Sequence, residues 1–398
     1  MYPLLSGLSV IEASSFVASP SAGLYLAQMG AEVIRVDQIG GGPDFNRWPK
    51  ADNGASLYWE NLNRAKKSVA LDLGRPEGRE LLCELAAKTG QLITNFPVES
   101  FLAHDKLAAK RADMITVRVM GMADGGPALD YTINSAVGFP DLTGTGPEPV
   151  NHVLPAWDLL TGAYAAFAMM AVIHHRTATG LGQEVRVPLS DVAIGTVANL
   201  GMLAEVLHTG ANRARMGNTV FGAFGRDFIT KDGVRLMIMA ITPRQWTGLV
   251  KVLNIANEVA AIEAERGVTF AKDEGERFTH RDALFPLIET RVTGLAYADL
   301  KAALDGVGGC YGAYQTMKDA AHDPVLVGNN PMFANSANPS GLAYPAAGSL
   351  ATIPQLERGA PRPAPHLGAH TDETLETLLG LSLGQVATLH DQGLIAQA

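Results

Sequence analysis

The first 190 residues alternate between short apolar runs and helical segments. LSVIE at 8–12 is a predicted buried strand, PSAGLYLAQMG at 20–30 a predicted helix, and AEVIRVD at 31–37 the next strand. The pattern continues through a predicted helix at 76–88 and further predicted strands at 67–73, 91–95, 113–120 and 184–191. Because parallel strands need a crossover, usually a helix, this alternation predicts an α/β fold with a doubly wound, mostly parallel sheet.

The pattern changes after a predicted long helix at 191–208. Residues 221–240 predict two strands joined by a Lys-Asp-Gly turn, whereas residues 329–368 are rich in Pro, Gly and Ala and predict an extended strap. A helix pair at 371–395 ends the chain. We expect a large Rossmann-like domain at 1–195, a linker helix at 196–222, a small α+β domain at 223–305, and a return linker with C-terminal helices packing on the large domain at 306–398.

Charge and hydropathy exclude several classes of function. The net charge is −9 and the basic residues are scattered, so nucleic acid is not an expected partner. The apolar run at 163–173 is shorter than the roughly 20 residues of a membrane span, and no signal peptide is evident, so we expect a cytoplasmic protein without a membrane partner. Cys83 and Cys310 form no metal motif, and Cys83 is a predicted core residue.

Common cofactor motifs are absent. The first βα turn, EASSFVASPSAG, lacks G-x-G-x-x-G, which disfavours an NAD-linked enzyme although Asp37 ends the second strand. Neither a P-loop nor G-x-S-x-G occurs. HLGAH at 366–370 places two histidines four apart, but Pro365 and Gly368 oppose a helix there, so we expect no metal site.

The segment NHVLPAWDLLTG at 151–162 places one carboxylate, Asp158, before a long Ala-rich helix. An N-cap role alone would account for this residue. A carboxylate held ionised at a helix start, near free N–H groups, would equally suit a nucleophile. The residues themselves leave both interpretations open.

At this point the chain resembles the family III CoA-transferases of the CaiB/BaiF type. The resemblance runs nearly end to end, through segments at 5–37, 62–80, 95–96, 158–162, 179–191, 215–218, 231–233 and 364–382. In this family the Asp of D-x-x-x-G is the nucleophile, which implies that CoA is held on Asp158 as an aspartyl thioester. The resemblance further implies an acyl-CoA substrate, no prosthetic group, and an interlocked homodimer.

The family's CoA-binding segments match residues that we expect to contact the CoA moiety, namely Val17, Ala18, Arg35, Arg64, Lys66, Leu71, Leu73, Asn95 and Phe96. Candidate contacts for the acyl part are Arg47, Tyr131, Asn134, His152 and Arg226.

Other branches of the family fit less well. Racemases place a proton-shuttling His and Glu where this chain has Leu129 and Thr242, and neither side chain transfers protons at neutral pH. The glycine-rich loop of formyl-CoA transferase has no counterpart in MAITPRQW at 239–246.

Four segments, at 35–49, 93–97, 150–158 and 222–228, resemble one branch of the family. This resemblance implies an intramolecular transfer, in which CoA moves from one carboxyl of a methylfumaryl group to the other while the diacid stays bound. An intermolecular CoA-transferase acting on another short dicarboxylic acyl-CoA is the nearest alternative. An NAD-linked enzyme and a CoA-binding subunit without catalysis are the others.

Overall fold

The computed structural model describes residues 1–397. Its strands are β1 (Ser9–Ala13), β2 (Glu32–Gln38), β3 (Lys67–Leu71), β4 (Gln91–Thr94), β5 (Ile115–Met120), β6 (Glu184–Pro188), β7 (Phe224–Ile229), β8 (Arg235–Ala240), β9 (Cys310–Ala313), β10 (Phe333–Ala337), β11 (Ala343–Ala347) and β12 (Ile395–Ala396).

The first helices are α1 (Ala18–Gln28), α2 (Leu57–Leu62), α3 (Pro76–Thr89), α4 (His104–Lys110), α5 (Asp130–Ala136), α6 (Phe139–Leu142), α7 (Ala156–Thr179), α8 (Leu189–Asn199) and α9 (Met202–Thr209). Then follow α10 (Pro243–Leu253), α11 (Ala256–Arg266), α12 (Glu274–Thr279), α13 (Arg281–Val292), α14 (Tyr297–Val307), α15 (Met317–His322), α16 (Thr371–Leu379) and α17 (Leu383–Asp391). A π-helical turn occupies Pro324–Gly328.

One compact unit, built from residues 1–139, 151–211 and 324–398, contains a seven-stranded sheet of order β12-β3-β2-β1-β4-β5-β6. The pairs among β1 to β6 are parallel, and β12 adds antiparallel to β3. The prediction of a mostly parallel sheet is therefore confirmed. Its order from β3 to β6 is that of doubly wound nucleotide-binding folds.

Helices cover both faces of this sheet. On one face α3, α4, α16 and α17 supply buried residues such as Leu82, Leu107 and Leu375. On the other, α1 and α7 supply Ala22, Leu26 and Met169. Cys83 lies in the first of these clusters, as predicted.

Helix α7 packs mainly against α1 and β5. By length and composition alone it could cross a membrane, as could the bent pair formed by α8 and α9. A core helix of a globular protein meets the same criterion, and Ala165, Ala168 and Met169 of α7 are buried.

The second unit comprises residues 140–150 and 212–323. Its sheet is antiparallel in the order β7-β8-β9, and its core is rich in aromatic side chains, including Phe224, Trp246 and Phe285. The first two strands match the predicted pair. The short third strand, β9, was not predicted.

Two segments differ from expectation. The helix predicted at 191–208 is two helices with a bend of 66° between them, because Gly201 adopts a left-handed φ of 75° at the junction. The predicted strap at 329–368 contains the antiparallel hairpin of β10 and β11.

The four-part domain division inferred from the sequence stays a prediction.

Candidate active site

A cleft of about 840 Å³ opens in the first unit beyond the carboxyl ends of β1, β4 and β5. Its walls are formed by residues 15–19, 95–99, 118–121 and 123–129, together with Asp158, Arg186 and Leu189. β1 and β4 are the neighbours at which the strand order reverses. Open α/β sheets bind ligands at this point, so the cleft is the candidate active site.

The D-x-x-x-G spacing is explained by the packing of α7 on α1. A Cβ atom on Gly162 would lie 2.6 Å from the Ala18 carbonyl oxygen and would overlap the Ser21 hydroxyl, so only glycine permits this approach. Asp158 lies one turn earlier on the same face of the helix. The motif therefore presents the carboxylate beside the loop that precedes α1.

Asp158 is not the N-cap of its helix, and that interpretation is wrong. The N-cap is Pro155, and Asp158 occupies the first turn. The capping group is the buried carboxylate of Asp130, whose Oδ2 accepts the N–H groups of Trp157 at 2.7 Å and Asp158 at 3.0 Å. Sequence reasoning missed this long-range cap.

The pKa of Asp158 differs from expectation, because the helix start does not lower it. Its pKa is raised to about 6, first by burial and then by the negative charge of Asp130, against the opposing effect of the Arg47 guanidinium. Asp130 takes up the free N–H groups at the helix start, so these do not stabilise the Asp158 carboxylate. The ionised form still predominates at pH 7 and is more basic than an ordinary carboxylate.

Arg47 and Tyr58 both lie close enough to Asp158 to interact with its charge. The Arg47 guanidinium lies 5.3 Å from the centres of both the Phe16 and Tyr58 rings. The Tyr58 hydroxyl is buried and has no hydrogen-bond partner among the described residues. Burial is the main cause of its pKa being raised to about 12, so the phenol remains a donor. The sequence analysis did not single out Tyr58.

Comparisons with known proteins fit this geometry. Residues 5–371 match the sequence profile of CoA-transferase family III. The chain is 42% identical over 404 residues to 2-methylfumaryl-CoA isomerase of Chloroflexus aurantiacus, covering 100% of this chain and 98% of that one. This chain belongs to CoA-transferase family III.

Two further family relatives extend the comparison. Succinyl-CoA–D-citramalate CoA-transferase of Chloroflexus aurantiacus is 28% identical, with 98% of each chain covered. A crystal structure of a CAIB/BAIF family protein from Brucella suis superposes with a TM-score of 0.75 at 27% identity, covering 95% of this chain and 99% of that one. The family resemblance inferred from the sequence motifs is thus confirmed.

The residues carried over from the family for CoA binding fall into two groups. Val17, Ala18, Asn95 and Phe96 line the cleft together with Asp158. The Asn95 side chain accepts the Ser15 N–H at 3.3 Å and donates to the Ser15 carbonyl at 3.1 Å, so it fixes the loop before α1.

The other five residues do not line this cleft. Arg35 and Lys66 are buried in a charged cluster, where Arg35 contacts Glu12, Asp37 and Asp44. Arg64 donates to Asn61 and to the Ala347 carbonyl. Leu71 and Leu73 belong to the hydrophobic core beside α3. Their contact with CoA stays a prediction.

Three candidate substrate residues form hydrogen bonds either with residues 151–157, just before Asp158, or with Asp130, the cap of α7. The Tyr131 hydroxyl donates to the Val153 carbonyl at 3.2 Å. Asn134 bonds Asn151 at 2.6 Å and accepts the indole N–H of Trp157 at 3.0 Å. His152 Nε2 lies 2.6 Å from Asp130 Oδ1, which links this histidine to the cap of α7.

The remaining candidate, Arg226, lies in the second unit. There its guanidinium pairs with Glu289 at 3.0 Å and lies over the Phe228 and Phe285 rings. Its role as a substrate contact stays a prediction. No cluster of three or more potential metal ligands occurs among residues 1–397, and residues 366–370 form no helix.

Proposed function

We propose that this chain transfers CoA within one substrate, converting 2-methylfumaryl-CoA (mesaconyl-C1-CoA) to 3-methylfumaryl-CoA (mesaconyl-C4-CoA). The observation that carries the proposal is the 42% identity to 2-methylfumaryl-CoA isomerase along the whole chain. The position of Asp158 in the wall of the cleft supports it.

The reaction begins when the Asp158 carboxylate attacks the C1 thioester carbonyl and the C–S bond breaks, which releases CoA thiolate and leaves a mixed anhydride. The thiolate then attacks the aspartyl carbonyl of this anhydride, and the methylfumarate carboxylate leaves. CoA is now held on Asp158 as a thioester. No proton is transferred in either step, and the raised pKa of Asp158 makes it a stronger nucleophile.

The second half runs through the other carboxylate. The C4 carboxylate attacks the aspartyl thioester, CoA thiolate leaves again, and a second mixed anhydride forms. Attack of the thiolate on the C4 carbonyl gives the new thioester and restores the Asp158 carboxylate. These exchanges of acyl bonds need no metal or prosthetic group.

The free diacid must stay in the site between the two halves. A trans double bond directs its two carboxylates away from each other, so the molecule has to turn end for end before C4 reaches Asp158. Retention requires cationic groups and exclusion of water. Arg47 is the strongest candidate because it lies near Asp158. Tyr131, Asn134, His152 and Arg226 are weaker candidates.

The CoA moiety would occupy the remainder of the cleft. Val17 and Ala18 begin α1, whose first N–H groups receive no side-chain cap, and such groups favour negatively charged ligands. Asn95 and Phe96 form the neighbouring wall, and Arg186 supplies a cation.

The proposed assembly is the interlocked homodimer of the family. Its support is a stripe of exposed apolar side chains along α7, formed by Leu160, Tyr164 and Phe167. Leu203 and Leu207 of α9 are exposed as well. Apolar stripes of this kind mark interfaces between proteins. Sedimentation at micromolar concentration is expected to give twice the mass of the chain.

An intermolecular CoA-transferase is the second candidate, favoured by the 28% identity to succinyl-CoA–D-citramalate CoA-transferase. Incubation with mesaconyl-C1-CoA and isotope-labelled free mesaconate separates the two functions. The isomerase is expected to form unlabelled mesaconyl-C4-CoA. Label in the thioester would instead show exchange with free acid.

Variants connect this reaction to its nucleophile. Asp158→Asn is expected to form no C4 isomer, whereas Asp105→Asn, an exposed position on α4, is expected to behave as the wild type. Absence of conversion by the wild type would refute the proposed substrate. Conversion by Asp158→Asn would refute the proposed nucleophile.

A further inference from the structure

Asp44 is a fully buried carboxylate that connects the charged cluster to the active-site loop. It accepts hydrogen bonds from Nη2 of Arg35 at 3.0 and 3.2 Å. Its Oδ2 also accepts the backbone N–H of Phe16 at 3.1 Å. One side chain therefore joins strand β2 to the wall of the cleft.

The backbone that Asp44 holds is strained. Phe16 has a φ of 70°, a left-handed conformation that residues other than glycine rarely adopt. Such a conformation persists only when surrounding contacts hold it, and it is frequent at functional sites. The Asp44 carboxylate supplies one of these contacts, on the N–H of the strained residue itself.

Asp44 also begins the turn that carries Arg47. Its carbonyl oxygen accepts the Arg47 N–H at 3.2 Å. The Arg47 guanidinium lies over the ring of Phe16, the same residue whose backbone N–H Asp44 accepts. We call residues 44–47, with their contacts to Phe16, the Arg47 arm.

We infer that Asp44 is a positioning residue. It keeps the Arg47 arm directed at the diacid during the interval in which the diacid is covalently linked to neither CoA nor Asp158. This inference rests on the proposed isomerase function and deepens it. With the arm fixed, the free diacid turns over inside the site. With the arm loosened, the diacid escapes and exchanges with free acid in solution.

Asp37 provides a matched comparison. It is also buried and binds the same guanidinium, at 2.8 and 2.9 Å. Within the described part of the chain its carboxylate bonds only Arg35 and does not contact the Phe16 loop. Asp37→Asn and Asp44→Asn each remove one negative charge from Arg35, but only Asp44→Asn weakens the arm, because an amide has a single acceptor atom.

The test measures label from free mesaconate in mesaconyl-C4-CoA, counted per molecule of product. Because label is counted per molecule of product, the ratio does not depend on how much of the protein is folded. A variant that only lowers the folded fraction therefore leaves the ratio unchanged. Asp44→Asn is expected to raise the ratio at least tenfold above the background measured for the wild type, and Asp37→Asn to leave it at that background. Urea titration of both variants checks that their stabilities are comparable.

Phe16→Gly provides a second route if Asp44→Asn does not fold. It removes both the strain and the ring under Arg47 while leaving the buried charges intact, and it is expected to raise the label ratio as well. Equal ratios in Asp44→Asn and Asp37→Asn, or a wild-type ratio in Phe16→Gly, would overturn the inference. Failure of the wild type to form the C4 isomer would instead overturn the proposed function.

Discussion

Two carboxylates in the first unit, Asp44 and Asp158, have opposite surroundings. Asp44 shares Arg35 with Glu12 and Asp37 and also accepts a backbone N–H, so its charge is fully hydrogen-bonded. Asp158 is partly buried, and its carboxylate oxygens accept no hydrogen bond from any of residues 1–397. Its own backbone N–H is bonded by another acid, Asp130.

The difference separates a carboxylate that maintains the fold from one that is available for chemistry. Buried charges are tolerated when they are paired, and removing one partner leaves the others uncompensated. An unpaired carboxylate near another acid destabilises the folded state but is more basic. The following substitutions test this contrast.

The largest effect is expected for Asp158→Asn. Activity should fall by roughly 10⁴-fold or more, since the proposed nucleophile is lost. Stability at pH 7–8 should rise by roughly 1–3 kcal/mol, because the folded-state pKa is raised from 3.8 to about 6 and the penalty for ionisation disappears. The native carboxyl binds more protons than the unfolded one between about pH 4 and 6, so wild-type stability should fall as pH rises through that window. Urea titrations of both proteins measure this difference, and a less stable Asp158→Asn would contradict it.

Arg35→Met tests the paired carboxylate, Asp44, by removing the cation that it shares with Glu12 and Asp37. It leaves three buried carboxylates without their shared cation, so we expect a loss of about 3–5 kcal/mol in the free energy of unfolding. Arg186→Met is the control, since Arg186 is half exposed and its ion pair among residues 1–397 is with Glu184 alone. Its effect should stay within about 0.5 kcal/mol. Similar losses of stability in Arg35→Met and Arg186→Met would show that the buried carboxylates do not depend on Arg35.

Gly162→Ala tests the close packing of α7 on α1 without changing any charge near Asp158. The added methyl group would meet the Ala18 carbonyl oxygen and displace α7 from α1, so we expect a loss of about 1–3 kcal/mol in stability and reduced kcat. A Cβ atom at Gly195 on α8 would have no atom of the described residues within 4 Å, so Gly195→Ala should be neutral or stabilising by up to about 1 kcal/mol. An equally stable and active Gly162→Ala would show that the close approach is not required.

The smallest effect is expected for Asp130→Asn. An asparagine oxygen can still accept the N–H groups of α7, but the negative charge that raises the pKa of Asp158 is lost. The acidic limb of kcat/KM, expected near pH 6 in the wild type, should move to lower pH by up to about one unit. Asp191→Asn, an exposed first-turn acid on α8, should leave it in place. A shift to higher pH would contradict the assigned sign.

The parallel sheet was predictable because each strand is a short apolar run with turn residues at its ends. β1, α1 and β2 lie within a few residues of their predicted positions. The bend at Gly201 was missed because a glycine inside a helical pattern does not reveal whether its φ is positive. β9 was missed because Cys310–Ala313 is too short for an apolar alternation to be evident.

In the site, the D-x-x-x-G motif singled out Asp158, which lies in the wall of the cleft, and its role as the nucleophile stays a prediction. The surroundings of Asp158 were not predictable from the sequence. The cap of α7 comes from Asp130, and the link between Arg35 and Phe16 comes from Asp44. Both depend on how separate segments pack, which no local spacing records. Tyr58 carried no signal, because a tyrosine in a short helix is equally typical of a core.

The raised basicity of Asp158 has a consequence for each half of the proposed reaction. A mixed anhydride has two carbonyls, and the thiolate succeeds at the one whose departing carboxylate is the better leaving group. With a pKa of about 6, Asp158 is the poorer leaving group of the two when the substrate carboxyl is near its ordinary pKa. In the proposed mechanism, collapse of the first anhydride therefore favours the aspartyl thioester over reversal, whereas the same difference slows collapse of the second anhydride, from which the Asp158 carboxylate must leave. Burial and the negative charge of Asp130 thus favour storage of CoA on Asp158 between the two halves.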